Sequence, residues 1–135
     1  MRRIHVVNRS LDRATALRLR FGDRILPARW DDRNGLLAGA GLLVNTTTLG
    51  MAGQPSLEID VAALAPTAVV ADIVYAPLLT PLLAAAGARG LRTVDGLGML
   101  LHQAAGAFVR FFGVRPPVTQ GLRTLVEADL IRQSP

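Results

Sequence analysis

The chain has 135 residues, enough for one domain with a sizeable buried core. Half of its residues are hydrophobic, so disorder is not expected, and no apolar run reaches the roughly 18 residues of a membrane span. The opening run MRRIHVV lacks the apolar region and cleavage site of a signal peptide. Cysteine is absent, which excludes disulfides and thiolate metal sites. These features predict a cytoplasmic protein.

The formal net charge of +5 arises from 15 basic residues, all of them arginine, against 10 acidic residues. A positive balance of this kind is compatible with a nucleic-acid partner. The arginines are scattered along the chain rather than grouped on one predicted face. An anionic cofactor explains part of the charge more economically, so nucleic-acid binding is kept only as a subordinate hypothesis.

Short β-rich runs alternate with helical patterns along the whole chain. Predicted strands cover residues 3–7, 25–28, 42–45, 69–74 and 91–94. Predicted helices cover residues 11–21, 81–88, 99–112 and 121–131. Alternation of this kind is typical of a parallel α/β sheet. The runs at 42–45 and 69–74 are apolar almost throughout, which predicts strands covered on both faces.

A dinucleotide-binding domain begins with a strand and a glycine-rich turn that holds the pyrophosphate. No G-x-G-x-x-G pattern follows a strand here, so the chain starts at what would be the second strand. In the usual order 3-2-1-4-5-6 the first strand is central. We therefore predict an α/β fold with an incomplete Rossmann-like, doubly wound parallel sheet and C-terminal helices. Its two unpaired apolar strand edges invite self-association or pairing with another chain.

The first motif comprises Asn8, Arg9, Ser10 and Arg13, where the first predicted strand ends and a helix capped by Ser10 begins. An NAD site usually has Asp or Glu at the end of this strand, which binds the ribose 2′-hydroxyl. Arginines at a helix N-terminus oppose the helix dipole unless an anion joins them. The adenosine 2′-phosphate of NADP would be such an anion, with bidentate hydrogen bonds from Arg9. The alternative is a solvated, arginine-rich turn, and spacing alone does not decide.

The run VNTTTLGM carries a predicted buried strand into a polar turn of small residues. Ligands of doubly wound sheets bind at the carboxyl ends of strands, so Thr46 and Thr47 could touch ribose or nicotinamide. An ordinary capped turn explains these threonines equally well. The run DIVYAP ends the next strand and contains Tyr75, the only tyrosine. Its hydroxyl could reach a ligand, although a tyrosine packed at the rim of a sheet is the commoner outcome.

The run DGLGMLLHQA follows the last predicted strand. Gly96 would allow close approach of the backbone after that strand. Gln103 lies on an otherwise apolar helix, where a buried amide needs hydrogen-bond partners. His102 beside it is interpreted as a surface or supporting residue rather than a catalytic one.

The order and spacing of these four motifs closely resemble the NADP-binding domain of shikimate dehydrogenases. The resemblance covers essentially the whole chain, down to GVRPPVTQGLRTLVEADL. It implies cofactor contacts from Asn8, Arg9, Ser10, Arg13, Thr46, Thr47, Ile73, Gly96 and Met99. It implies that Tyr75 and Gln103 contact the polar groups of shikimate. Ala76 departs from the Asn often found after that tyrosine.

Members of this family reduce 3-dehydroshikimate to shikimate with NADPH, by hydride transfer without a metal, in aromatic amino-acid biosynthesis. Their proton transfer depends on a Lys–Asp pair in a preceding substrate domain, and this chain contains no lysine. The resemblance therefore implies a partial NADP-binding domain over residues 1–135, with NADP as cofactor and no catalytic residue of its own. The choice between shikimate and quinate would depend largely on the other domain.

Three hypotheses remain open at this point. The chain is the C-terminal part of an NADP-dependent shikimate dehydrogenase, inactive without an N-terminal half that is truncated away or separately encoded. Alternatively, it is a non-catalytic nucleotide- or partner-binding module derived from that fold, or a basic nucleic-acid binder. Alone, the chain is expected to be marginally stable or oligomeric and to bind NADPH weakly or not at all.

Overall fold

The computed structural model describes residues 3–133, with Gln133 described only in its backbone. These residues form two compact units, and each has its own parallel sheet. Unit 1 comprises residues 3–40 and Ile59–Ala65, and unit 2 comprises Gly41–Glu58 and residues 66–133. No helix within the described range combines the length and the apolar character needed to cross a membrane.

Unit 1 is a strand–helix–strand unit. Strand β1 (Ile4–Asn8) leads into helix α1 (Leu11–Phe21), which returns the chain to β2 (Ile25–Arg29). The two strands are parallel, with Asn8 opposite Arg29 at their carboxyl ends. Two short 3-10 helices, Trp30–Asp32 and Val61–Ala63, complete the unit. Its small buried core consists of Ala14, Ile25, Leu37, Val61 and Leu64.

Unit 2 contains a three-stranded parallel sheet and three helices. The strands β3 (Leu42–Asn45), β4 (Val69–Asp72) and β5 (Arg92–Val94) pair in the order β3-β4-β5. Helix α2 (Pro81–Ala88) lies between β4 and β5 in the chain, and α3 (Gly96–Phe112) and α4 (Gln120–Gln133) follow. The buried core is mostly aliphatic and includes Val70, Leu82, Leu83, Leu97 and Leu101.

All nine predicted elements are present in the structure, and α1, α2 and β3 have the predicted bounds. The prediction for α3 was wrong at its start, because the helix begins at Gly96 rather than at residue 99. Asp95 caps the helix there by accepting a hydrogen bond from the Leu97 amide at 3.0 Å. The two 3-10 helices were not predicted, since three-residue elements leave no periodic pattern.

The strand pairing agrees with the predicted incomplete sheet. Among residues 3–133, β1 pairs only with β2 and β3 pairs only with β4, so the strands form two groups. The prediction that β3 is covered on both faces was wrong, because Leu42 and Val44 are 59% and 42% exposed. Apolar composition indicates which strands could be buried, but the residues that bury a strand belong to other elements of the fold.

An ion pair joins the start of α3 to α4. Arg123 Nη2 donates to Asp95 Oδ2 at 2.6 Å, and its Nε lies 2.7 Å from Glu127 Oε1. Partial burial raises the pKa of the Asp95 carboxyl, but the hydrogen bond and charge of Arg123 and the amides of Leu97 and Gly98 outweigh it. The pKa of Asp95 is therefore lowered below 3.8. Asp95 thus both caps α3 and contacts α4.

We expect the stabilising effect of the Asp95 charge to disappear in acid. A carboxyl whose pKa is lower in the folded state stabilises fully above its unfolded pKa of about 3.9, and this effect is lost as pH falls through the folded value. Asp95→Asn keeps a capping oxygen but removes the charge. Denaturant unfolding should show wild type more stable than the variant at pH 7, with the difference beginning to shrink near about pH 3.9 and continuing to fall as pH drops through the lower folded pKa. A difference independent of pH would contradict this assignment.

Two glycines of α3 should respond oppositely to alanine. A Cβ at Gly96 would lie less than 3.0 Å from the backbone carbonyls of Ile73 and Val74, whereas one at Gly106 would meet nothing within 4 Å. Gly96→Ala is expected to lower the free energy of unfolding by about 1–3 kcal/mol, because backbone must shift. The matched Gly106→Ala should raise it by up to about 1 kcal/mol. Equal effects in denaturant unfolding would contradict the close approach at Gly96.

Candidate functional site

In unit 1, the predicted phosphate-binding motif forms a tight turn at the carboxyl end of β1. Asn8 Oδ1 accepts a hydrogen bond from the Ser10 amide at 3.1 Å, which orders the chain between strand and helix. Ser10 occupies the predicted cap position of α1, but its hydroxyl makes no capping hydrogen bond. The side chain that organises the turn is therefore Asn8.

The guanidiniums of this turn are exposed. Neither Arg9 nor Arg13 has an ion-pair partner within residues 3–133. A third exposed arginine, Arg29, ends β2 directly opposite Asn8. Sequence reasoning missed Arg29, because only the register of the two strands places it beside the motif. Arginines therefore lie at the carboxyl ends of both β1 and β2, and no acidic residue follows β1 directly.

In unit 2, the turn after β3 is organised by Asn45. Its Oδ1 accepts hydrogen bonds from the Thr47 amide at 3.0 Å and the Thr47 hydroxyl at 2.8 Å. Thr47 Oγ1 in turn accepts from the Leu49 amide at 3.1 Å. The Thr47 hydroxyl is thus used within the turn. Thr46 is exposed, and its hydroxyl has no partner in the described part of the chain.

The segment after β4 lies beside this turn. The Ile73 amide donates to the carbonyl of Asn45 at 3.1 Å, and the Ala52 amide donates to the carbonyl of Ala76 at 2.9 Å. Tyr75 is 37% exposed, so it stands at the rim of the sheet with its ring partly in solvent. Hydrogen bonds at both ends therefore hold the two segments together.

Helix α3 presents the remaining predicted residues along one face. Gly96, Met99 and Gln103 are spaced by three and four residues, so they share that face. Gly96 packs against the carbonyls of Ile73 and Val74, and Met99 is 42% exposed. The expectation that Gln103 is a buried amide was wrong, because Gln103 is exposed. Its amide is free to meet a ligand without breaking a buried network.

The structure thus places five predicted residues directly after the strands of unit 2, namely Thr46, Thr47, Ile73, Tyr75 and Gly96. Met99 and Gln103 follow along α3. Three buried polar residues beneath them were missed from the sequence: Asn45, Asp72 and Thr80. The sequence does carry a signal for two of these residues, because Asn45 and Asp72 are each the polar last residue of an otherwise apolar strand.

A hollow of about 190 Å³ lies elsewhere in unit 2, between α3 and the start of α4. Its lining includes His102 and Arg123 but none of the residues predicted to bind a ligand. The Arg123 guanidinium is already bound to Asp95 and Glu127. The predicted site is therefore an open edge of the sheet rather than this hollow.

Sequence comparison finds similar proteins along nearly the whole chain. Residues 96–126 match the family described as the Shikimate 5′-dehydrogenase C-terminal domain. Shikimate dehydrogenase (NADP(+)) from Rhodopseudomonas palustris strain TIE-1 is 63% identical over 130 residues, covering 96% of this chain and 47% of the relative. The corresponding protein of Nitrobacter winogradskyi is 61% identical over 129 residues, covering 96% of this chain and 46% of the relative.

Solved structures show the same fold. Quinate dehydrogenase from Corynebacterium glutamicum in complex with NAD has a TM-score of 0.82 and 32% identity, over 94% of this chain and 46% of that one. Shikimate 5-dehydrogenase from Thermus thermophilus in complex with NADP(H) and shikimate has a TM-score of 0.70 and 32% identity, over 95% and 45%. The fold is therefore Rossmann-like.

The extent of the match is also informative. The chain spans about half the length of the curated relatives it matches, and the matched half is their C-terminal part. The similarity covers both units, and the family-specific segment lies on α3 and α4. By sequence and by fold, the chain is related along nearly its whole length to the C-terminal part of shikimate dehydrogenases.

Proposed function

We propose that the chain forms the NADP-binding side of a shikimate dehydrogenase, which reduces 3-dehydroshikimate to shikimate with NADPH. The observation that carries this proposal is the 63% identity, over 96% of the chain, to an NADP-dependent shikimate dehydrogenase. In the proposed reaction NADPH supplies a hydride, and this chain binds and orients it. Residues 1–135 would then be one partial NADP-binding domain.

The preference for NADP over NAD is inferred from unit 1. The fold does not distinguish NADP from NAD, because a structure with NAD and a structure with NADP(H) are each 32% identical to this chain. The local side chains favour a phosphate: Asn8 replaces the usual acidic residue, and Arg9 and Arg13 have no ion pair in the described residues. Arg29 would add a third positive charge. Ser10, whose hydroxyl makes no capping bond, would be available to the same anion.

The nicotinamide and the substrate are assigned to unit 2. Thr46 and Ile73 would border the cofactor, Met99 would pack against the nicotinamide, and Gly96 would leave room for both. Thr47 would act through the shape of the turn, because its hydroxyl is already bonded. The exposed Tyr75 hydroxyl and Gln103 amide would donate to and accept from the polar groups of shikimate.

Proton transfer is assigned to the remaining half of the enzyme. This chain has no lysine, and the family's proton-transferring Lys–Asp pair belongs to the substrate domain. Acid–base assistance typically contributes about 10²–10⁴-fold, and positioning of the substrate contributes more. The proposed activity therefore requires a polypeptide equivalent to the N-terminal half of the relatives. A non-catalytic binding module is the alternative, which lack of turnover in that combination would favour.

A chimera tests the activity. The N-terminal half of the Rhodopseudomonas palustris relative, which precedes the region of 63% identity, is fused to this chain. We expect NADPH oxidation dependent on 3-dehydroshikimate, because the fusion joins both halves of the site. The 135-residue chain alone should show no turnover and should self-associate through the open edges of β1 and β3. A folded chimera that binds NADPH without turnover would contradict the proposal.

The phosphate assignment is tested by Arg9→Ala in the same chimera. Loss of a charge-assisted hydrogen bond should lower kcat/KM for NADPH by about 10- to 100-fold and leave NADH within about threefold. The matched control is Arg24→Ala, which removes an exposed arginine at the opposite end of β2. Steady-state rates with both cofactors give the comparison. Equal losses for NADPH and NADH would contradict recognition of the 2′-phosphate.

A further inference from the structure

Three polar side chains are buried in the described part of the chain, and they bond to one another. Asn45, Asp72 and Thr80 are 3%, 2% and 0% exposed. Asp72 Oδ1 accepts from Asn45 Nδ2 at 3.0 Å, and Asp72 Oδ2 accepts from the Thr80 hydroxyl at 2.7 Å. Buried polar groups cost free energy unless they are paired, so this cluster needs every one of its bonds.

Asp72 also holds the backbone that leads to the substrate side. The carboxyl accepts a third hydrogen bond, from the Val74 amide to Oδ1 at 3.0 Å. Val74 directly precedes Tyr75, and its carbonyl accepts from the Gly96 amide at 3.3 Å. The direction in which the chain leaves β4 is therefore set by the Asp72 carboxyl.

Asn45 connects the same carboxyl to the cofactor side. Its Nδ2 donates to Asp72 and, at 3.0 Å, to the carbonyl of Leu49, while its Oδ1 accepts twice from Thr47. Both N–H groups of the Asn45 amide are used, so a shift of Asp72 would move Asn45 and with it the turn that carries Thr46 and Thr47. Thr80 anchors the other carboxyl oxygen and caps α2 through the Leu83 amide at 3.3 Å.

We propose that Asp72, held by Thr80, is a positioning residue that fixes the spacing between the turn carrying Thr46 and Thr47 and the segment carrying Tyr75. The inference rests on the proposed function, in which the first segment borders the nicotinamide and the second contacts the substrate. Hydride transfer needs the two reacting carbons at near-contact distance, and a misplacement of about 1 Å can cost about 100-fold in rate. A change in spacing should therefore affect kcat more than KM.

The test uses the fused chimera with Thr80→Val, which keeps the shape of the side chain and removes the bond to Asp72. We expect kcat to fall about 10- to 100-fold, with KM for NADPH and for 3-dehydroshikimate changing less than about threefold. Thr80→Ser restores the hydroxyl and should recover most of kcat. Thr119→Val is the matched control, because the Thr119 hydroxyl caps α4 through the Leu122 amide at 3.1 Å and lies outside the cluster.

Two results would overturn the inference. One is an unchanged kcat in Thr80→Val, and the other is an equal fall in Thr119→Val, which would indicate that loss of any helix cap lowers activity. If the wild-type chimera itself is inactive, the proposed function fails, and amide hydrogen exchange of the folded chimera decides the positioning role. Thr80→Val should then speed exchange at Thr47 and Val74 by about tenfold or more and leave Leu122 unchanged. Unchanged exchange at Thr47 and Val74 would overturn the inference independently of activity.

Discussion

The parallel register between β3 and β4 places Asn45 directly beside Asp72, at the point where both strands end. From that point the chain continues into two different segments, one carrying the threonines and the other carrying Tyr75. Two backbone hydrogen bonds, from Ile73 to Asn45 and from Ala52 to Ala76, link these segments beyond the last strand pair, and buried side chains add further bonds. The carboxyl of Asp72 accepts from the Asn45 amide and from the Val74 backbone, and Thr46, Thr47 and Tyr75 follow these residues closely in the chain.

Close packing reinforces the same edge of the sheet. Gly96 starts α3 against the carbonyls of Ile73 and Val74, where any larger residue would displace backbone. Gly96 lies on the helix face that also carries Met99 and Gln103. The ion pair between Asp95 and Arg123 then joins the start of α3 to α4. Site and helix packing in unit 2 are thus parts of one arrangement.

Unit 1 contributes charge rather than a buried network. Its core is small, and the arginines at the carboxyl ends of its strands, Arg9, Arg13 and Arg29, are exposed. Arginine without a counter-ion is stable in water, so nothing in the fold itself demands a ligand there. The proposed selectivity for a phosphate therefore depends on three side chains, Arg9, Arg13 and Arg29, and not on the strand–helix–strand frame, which relatives with NAD and NADP(H) share.

Much of the fold followed from local pattern. The bounds of α1, α2 and β3 were predicted correctly, because apolar periodicity, Pro81 at the first position of α2 and a polar residue at the end of β3 act over a few residues. The start of α3 was missed because the capping role of Asp95 outweighed the glycines that follow it. The exposed faces of β3 and of Gln103 were missed because burial depends on neighbours distant in sequence.

The sequence by itself therefore determined the alternation of strands and helices, the family resemblance and the residue types of the candidate site. Only the tertiary structure decided which of those residues meet: Arg29 beside Asn8, Gly96 beside Val74, and Asn45 with Thr80 around Asp72. The physical reason is that these contacts join segments separated by up to 27 residues, as between Asn45 and Asp72. Strand register and backbone approach set such contacts, and neither leaves a periodic signal along the chain.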